Sequence, residues 1–329
     1  MTVAVVVVVA AAVAAAAAPR MAPGRSARLT TVAALSPVIA VLAVLLAIIA
    51  VAVAGWLGLV VAVPAVVLVA WQLPPRRHRE AGATDGAEIR VASINAWLGR
   101  ASHAAIATEM AAFRPDVLVV QELTAELATP LARSLTDLLP YARLHPSGGS
   151  AGIGVWSRFP LAELAPVPAT KTLMPRVLLQ ADWPVTVTPV HTAAPVTSRH
   201  SEWQHDFGQL LAAVTATSGH QLIVGDFNAS RDHRPFRKLL SAGLADCADA
   251  ALSRQWPGFT WPANRRYPAI IRLDHILVSQ PGAVVRQTRR IRVPGSDHLG
   301  VLAIIDLLPL PGATAARLTD RMRADQEAT

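Results

Sequence analysis

At 329 residues, 53% of them hydrophobic, the chain carries 30 Lys and Arg against 22 Asp and Glu, a net charge of +8. Arg20, Arg25, Arg28, Arg76, Arg77 and Arg79 flank uncharged stretches, whereas Ala81 onward holds 24 Lys and Arg against 21 Asp and Glu, so charge alone does not make this part a polyelectrolyte binder. The single cysteine, Cys247, excludes an internal disulfide and reads as a core residue.

Val3 to Ala18 is an uncharged Val/Ala run, and Thr31 to Leu73 is a second uncharged stretch with a turn near Gly55-Trp56-Leu57-Gly58. A bilayer crossing needs about 20 apolar residues. Residues 1–73 are therefore expected to form a membrane region of about three spans, at 3–19, 34–54 and 56–73. The first is short enough to be a signal-like segment instead, but no cleavage site with a hydrophilic start follows, which favours a retained anchor. None of the spans carries an internal charge, which excludes a transporter or channel. Residues 74–87 read as a linker.

From Glu88 the pattern changes. Ile89 to Ile94 alternates as a strand and ends in Asn95; Ala104 to Phe113 is helical; Val117 to Val120 is a buried strand followed by Gln121-Glu122. Leu123 to Leu139 is helical, with Pro130 as a break or first-turn residue. Gly148 to Gly152 is a loop, Ile153 to Trp156 a strand, and Ser157 to Pro160 a turn. Val177 to Ala181 and Val185 to Val190 form a strand pair, the second ending in His191. Trp203 to Thr217 is a helix, Leu222 to Val224 a strand, and Phe236 to Ser241 a short helix. Ile270 to Val278 is a strand with Asp274 and His275 near its middle, and Leu299 to Ile305 is the last strand. The domain is expected over 88–307, with a charged tail over 308–329. Several strands end in a polar residue, which implies two packed sheets whose strand ends converge on one rim.

Asp226 and Asn228, just after a buried strand, place a carboxylate and a carboxamide on one face. Alone they read equally as an Asx-type turn. With Ser93-Ile94-Asn95, Gln121-Glu122, His191-Thr192-Ala193-Ala194-Pro195, Gly225-Asp226-Phe227-Asn228, Leu273-Asp274-His275 and Ser296-Asp297-His298, in that order, the chain resembles the endonuclease/exonuclease/phosphatase superfamily. The resemblance implies a four-layered α/β sandwich, two packed mixed sheets flanked by helices, here preceded by N-terminal transmembrane helices. It also implies metal-assisted attack of water on a phosphate ester.

On that resemblance Glu122, with Asn95 and Asp297, would hold Mg2+, with Mn2+ as a substitute. Asp226 would activate water, and Asn228 would hold a phosphoryl oxygen. Asp274 would buttress His298, which serves as base or phosphate clamp, and His191 would protonate the leaving group. Asn95 and Arg176 would contact substrate. His275, on the opposite strand face, reads as structural. Trp256 and Trp261 read as packing residues, and Arg265-Arg266-Tyr267 as a substrate-facing loop or a solvated turn. His200, His205, His220 and His233 have no zinc-like spacing.

The expected activity is that of a membrane-anchored phosphoesterase acting on a lipid headgroup, a small phosphodiester or nucleic acid. The alternatives are a DNA endo- or exonuclease and an inactive membrane-bound scaffold, and no protein partner is inferable. Arginines on both flanks of the 31–73 hairpin point to a cytoplasmic domain, whereas resemblance to bacterial members with three spans points to an extracytoplasmic one at the cell membrane, which is preferred.

Overall fold

The computed structural model describes residues 2–21, 27–72, 86–170, 172–251 and 257–310. Most of the expected linker and nearly all of the charged tail lie outside the described residues.

Three helices come first: α1 (Thr2–Met21), α2 (Ala27–Ala54) and α3 (Trp56–Gln72). They pack on one another through small residues, burying Ala40, Ala43, Ala47, Ala50 and Ala65, while Leu42, Leu45, Ile48, Leu59, Val60 and Val67 stand exposed. That is the reverse of a water-soluble bundle, in which large aliphatic side chains fill the interior. One helix, Ala27–Val53, is long and apolar enough to cross a membrane, with a mean hydropathy of 2.9; Val6–Ala15 and Gly58–Ala70 are shorter apolar runs.

The rest is built on β1 (Ala87–Asn95), α4 (His103–Phe113), β2 (Val117–Gln121), α5 (Ala125–Leu135), β3 (Tyr141–His145), β4 (Ile153–Ser157), β5 (Leu161–Val167), β6 (Met174–Leu179), β7 (Val185–His191), α6 (His200–Thr215), β8 (His220–Asp226), α7 (Arg234–Ser241), β9 (Leu244–Asp246), α8 (Cys247–Ala250), β10 (Asp274–Ser279), β11 (Ala283–Arg292) and β12 (Leu299–Leu307). They form two six-stranded sheets, ordered β11-β12-β1-β2-β4-β3 and β5-β6-β7-β8-β10-β9. Each sheet is antiparallel except for one central parallel pair, β1 with β2 and β7 with β8. Parallel neighbours need a crossover, and α4 and α6 supply it.

Strand alternation explains the layers. Val91, Val119, Val155, Val187, Val224 and Ile276 fill the space between the sheets. Leu118 and Trp156 face the other way, against Ile106, Met110 and Leu131 of α4 and α5. Ile223 and Leu277 likewise meet Phe207 and Phe236 of α6 and α7. Each fully buried Val or Leu contributes about 1.5–3 kcal/mol. The result is the expected helix–sheet–sheet–helix sandwich.

Three local expectations change. Pro130 lies inside α5 rather than breaking it. β10 begins at Asp274, so that residue opens the strand instead of standing near its middle. The edge or half-exposed strands β3, β5, β9 and β11 had no clear apolar signature; β3, for example, is nowhere fully buried.

α2 also touches the domain. The Thr30 hydroxyl lies 2.9 Å from His200 Nε2, and His233 Nε2 donates to the Thr30 carbonyl at 2.9 Å. His233 Nδ1 accepts from the Ser230 N–H at 2.8 Å, so the ring is neutral with its proton on Nε2. Burial holds its pKa down, to about 4.

Candidate active site

The carboxyl ends of both parallel pairs point to one rim, where register sets Asn95 beside Gln121 and His191 beside Asp226. The antiparallel pairing of β10 with β8 adds Asp274 opposite Asp226. Gly225 makes this approach feasible: its φ is +149° and a Cβ there would lie 2.0 Å from the Val190 carbonyl oxygen.

Asp226 is the hub. Its Oδ2 accepts from Asn95 Nδ2 at 3.0 Å and lies 3.9 Å from both His191 Nε2 and His298 Nε2. Its Oδ1 accepts from the Asn228 N–H at 2.8 Å. The Asx-turn reading and the site reading thus describe one structure: one oxygen closes the turn, the other faces the rim. Burial, then the neighbouring Asp274, raises the Asp226 pKa.

Around this hub, Asn95 Nδ2 also reaches Glu122 Oε1 at 3.3 Å, and its Oδ1 accepts from the Trp97 N–H. Glu122 Oε2 accepts from the Leu98 N–H at 2.8 Å. Trp97, Leu98, Glu122 and Asn228 all have positive φ without being glycine. Such residues cost about 1–3 kcal/mol each and persist where the surroundings over-determine them. Asn228 directs Nδ2 to the Thr192 carbonyl at 3.0 Å.

His298 Nδ1 donates to Asp274 Oδ2 at 2.8 Å, leaving Nε2 toward Asp226 and 3.9 Å from Asp297 Oδ1. Burial works against the imidazolium, but Asp274, Asp226 and Asp297 outweigh it and push the pKa up to about 10. Asp297 Oδ2 accepts from Trp261 Nε1 at 3.3 Å, so Trp261 does more than pack. His191 Nε2 is 3.8 Å from Glu122 Oε1, and the Thr172 hydroxyl donates to the His191 carbonyl.

Three buried atoms here, Asp274 Oδ1, Asp297 Oδ1 and His191 Nδ1, have no hydrogen-bond partner among the described residues. Buried polar atoms are normally paired. Two carboxylates with an unpartnered oxygen, Asp274 and Asp297, beside the carboxylates of Asp226 and Glu122 fit a hard divalent cation. Ligand atoms of Asp226, Asp274 and His298 lie within 4.8 Å of one another. Because His298 Nδ1 is committed to Asp274, we read those two as a hydrogen-bonded pair and the remaining carboxylate oxygens as cation donors.

Two expected roles meet different surroundings. Arg176 does not join the cluster: Val177 and Leu179 take the inter-sheet face of β6, so Arg176 points outward and donates to Thr217 Oγ1 at 2.6 Å near the end of α6. His275 stays off the rim, as expected, bridging Asp246 Oδ2 at 2.7 Å and the Ala229 carbonyl at 2.9 Å. Trp256 lies outside the described residues.

Three further supports act on the site through the backbone, Ser296 from within a matched segment and Thr260 and Asp206 from outside any. Ser296 Oγ donates to the Asn95 carbonyl at 2.7 Å and accepts from the His298 N–H, tying the last loop to the first strand. Thr260 Oγ1 accepts from the Leu273 and Asp274 N–H groups. Buried Asp206 on α6 accepts from the Ala193 N–H at 2.9 Å and steadies the loop after His191.

The fold is shared with solved structures. An endonuclease/exonuclease/phosphatase family protein from Leptotrichia buccalis C-1013-b aligns at 17% identity and TM-score 0.55, covering 66% of this chain and 99% of that one. An AP endonuclease from Archaeoglobus fulgidus aligns at 15% identity and TM-score 0.53, over 65% and 98%. TDP2 from D. rerio, complexed with a single-strand DNA product, aligns at 16% and 0.52, over 67% and 99%. No curated protein sequence matches. The description "Endonuclease/Exonuclease/phosphatase family" matches residues 92–298. The chain belongs to the endonuclease/exonuclease/phosphatase family, whose members hydrolyse phosphoric esters.

Proposed function

We propose that the protein is a divalent-cation-dependent phosphodiesterase held in a membrane by α1–α3. The observation that carries this is the convergence of Asn95, His191 and His298 on Asp226 Oδ2. Glu122, Asp297 and the rim-facing Oδ2 of Asp226 would hold Mg2+, or Mn2+ in its place. A cation bound there would supply charge neutralisation at phosphoryl oxygens and a lowered pKa for its water.

The chain's own groups do the rest. Asp226, made more basic by burial and Asp274, takes the proton of the attacking water. His298, favoured as imidazolium by its carboxylates, grips a phosphoryl oxygen through Nε2, a role as clamp supported by its bond to Asp274. Asn95 fixes Asp226 and Glu122 against each other, the second N–H of Asn228 Nδ2 meets another phosphoryl oxygen, and His191 protonates the leaving oxygen. Arg176, turned toward α6, has no part in this scheme.

The alanine seams and exposed Leu and Val of α1–α3 support a three-span anchor, since bilayer helices pack through small residues and present large ones to lipid. An extracytoplasmic domain follows from the resemblance, against the arginine flanks; a cytoplasm-dependent reporter fused after Thr329 should stay inactive, and an active one reverses the sidedness. Nuclease action draws on the fold shared with the DNA-bound D. rerio TDP2.

In detergent, the full-length chain should hydrolyse bis-p-nitrophenyl phosphate with Mg2+ and stop with chelator. Hydrolysis that survives chelation, or none with Mg2+ or Mn2+, would sink this reading.

A further inference from the structure

Outside α1–α3, the large apolar side chains left exposed among the described residues are Leu98, Tyr141, Leu173, Val196 and Tyr267. Single exposed leucines are ordinary. Here four of the five lie on segments joined by chain or hydrogen bond to residues of the rim. The Leu98 N–H bonds Glu122, and Leu173 follows Thr172, whose hydroxyl bonds the His191 carbonyl. Val196 lies on the loop between His191 and α6. Tyr267 belongs to the loop entered through Ala263, whose N–H bonds the Asp297 carbonyl. Exposed arginines stand among them: Arg100 near Leu98, and Arg265 and Arg266 beside Tyr267.

Tyr141 is the exception, and it lies at the other end of the sandwich. It pairs with Ser157, which pairs with Val117 at the start of β2, remote from Glu122.

The N-terminal helices meet the domain at the rim end. Thr30, in the first turn of α2, bonds His200, which opens α6 just after Val196. It also bonds His233, at the close of the loop that runs on from Asn228. β1 instead starts at the far end and runs about 30 Å toward the site at roughly 3.3 Å per residue. Residues 73–86 can span at most about 50 Å. That is enough chain to pass from the membrane side of the domain to the start of β1.

We propose that the active-site rim rests in the headgroup layer of the membrane that holds α1–α3, and that its substrate is the phosphate ester of a lipid headgroup. The proposal rests on the hydrolase reading above and names its substrate class. Leu173, Val196 and Tyr267 enter the boundary between headgroups and acyl chains, and Arg265 and Arg266 meet anionic phosphates. A lipid phosphate then reaches Asp226 without leaving the bilayer. Water adds to phosphorus, the bond from phosphorus to the leaving oxygen breaks, and that oxygen takes a proton. One product keeps the phosphate and the other gains a hydroxyl.

Cys247, the single native cysteine, is buried, so a thiol probe reports only an introduced position. Full-length Tyr267→Cys and Tyr141→Cys, labelled with an environment-sensitive fluorophore, are placed in nanodiscs of phosphatidylglycerol and phosphatidylcholine. Lipids doxyl-labelled near the headgroup should quench the probe at 267 about threefold or more and leave the one at 141 unchanged. In the triple variant Leu173→Ser, Val196→Ser, Tyr267→Ser, hydrolysis of nanodisc lipid should fall about tenfold, with bis-p-nitrophenyl phosphate turnover retained.

Equal quenching at both positions overturns the proposal. So does wild-type protein that cleaves the soluble diester, or plasmid DNA, yet leaves lipid intact. A wild-type chain inert on the soluble diester sinks the hydrolase reading instead, and the quenching result then still decides where the rim lies.

Discussion

Two histidine–aspartate pairs meet on adjacent residues of β10 and have opposite characters. His275 pairs with Asp246 at 2.7 Å and His298 with Asp274 at 2.8 Å, so distance does not separate them. Satisfaction does. On the helix side, His275 Nε2 meets the Ala229 carbonyl, Asp246 caps the Ala248 N–H and takes Arg272 at 3.1 Å, and the Phe236 ring packs 4.3 Å from the imidazole. On the rim, Asp274 Oδ1 has no partner among the described residues and His298 Nε2 stops 3.9 Å from two carboxylates. The first pair closes a network and stiffens a core; the second leaves valences aimed at a shared point. Those unmet valences make the second pair, and not the first, the candidate for catalysis.

The largest expected effect breaks the comparison on the rim side. Asp226→Asn keeps the shape of the hub and removes its base, so turnover of bis-p-nitrophenyl phosphate should fall about 10³-fold while the melting temperature moves little. A fall below about tenfold would mean that Asp226 is not the base. On the helix side the readouts exchange. Asp246→Ala strands His275 and leaves Arg272 with Asp249 as its one carboxylate among the described residues, which should cost about 3–5 kcal/mol in denaturant unfolding while activity per folded molecule is retained. If it instead abolishes activity in folded protein, the two networks are coupled.

Titration sharpens the contrast more gently. The His298 pKa is raised in the fold, from an ordinary 6.5 to about 10, by its carboxylates against the effect of burial. The stability it contributes is therefore fully present below pH 6.5 and is lost as the pH rises through about 10. In chelator, the stability of wild type over His298→Gln should shrink across that range. His233 behaves oppositely, because burial lowers its pKa to about 4 from 6.5. Its contribution is present above pH 6.5 and lost as the pH falls toward 4, at most about 3–4 kcal/mol at roughly 1.4 kcal/mol per unit. Thermal scans between pH 7 and 4 should show a drop that His233→Asn reduces. The smallest effect belongs to Arg176→Ala, expected to change turnover less than about twofold; a tenfold loss would restore the phosphate contact that its sequence position suggested.

The legible parts of this molecule were local. Asn95, Glu122, His191 and Asp226 each follow a short apolar strand, and strand ends in a packed sandwich share a rim by geometry. What stayed hidden depended on partners distant in sequence. The direction of Arg176 follows from which face of β6 meets the other sheet, a choice made by strands of a different hairpin. β3 and β5 carry too little apolar alternation to stand out, since edge positions leave them half exposed. Thr260 and Asp206 steady the site through bonds to the backbone, and hydroxyls or carboxylates in such roles have no characteristic spacing. The contact of Thr30 with His200 joins residues 170 positions apart, beyond the reach of any periodicity.

The most direct test of the central claim is calorimetric titration of Mn2+ into the full-length protein and its Glu122→Gln and Arg176→Ala variants, in detergent after chelator is removed. A cation site formed by the rim carboxylates predicts saturable binding in wild type and Arg176→Ala and binding weakened at least about tenfold in Glu122→Gln. Equal binding in all three proteins, or none in wild type, would contradict it.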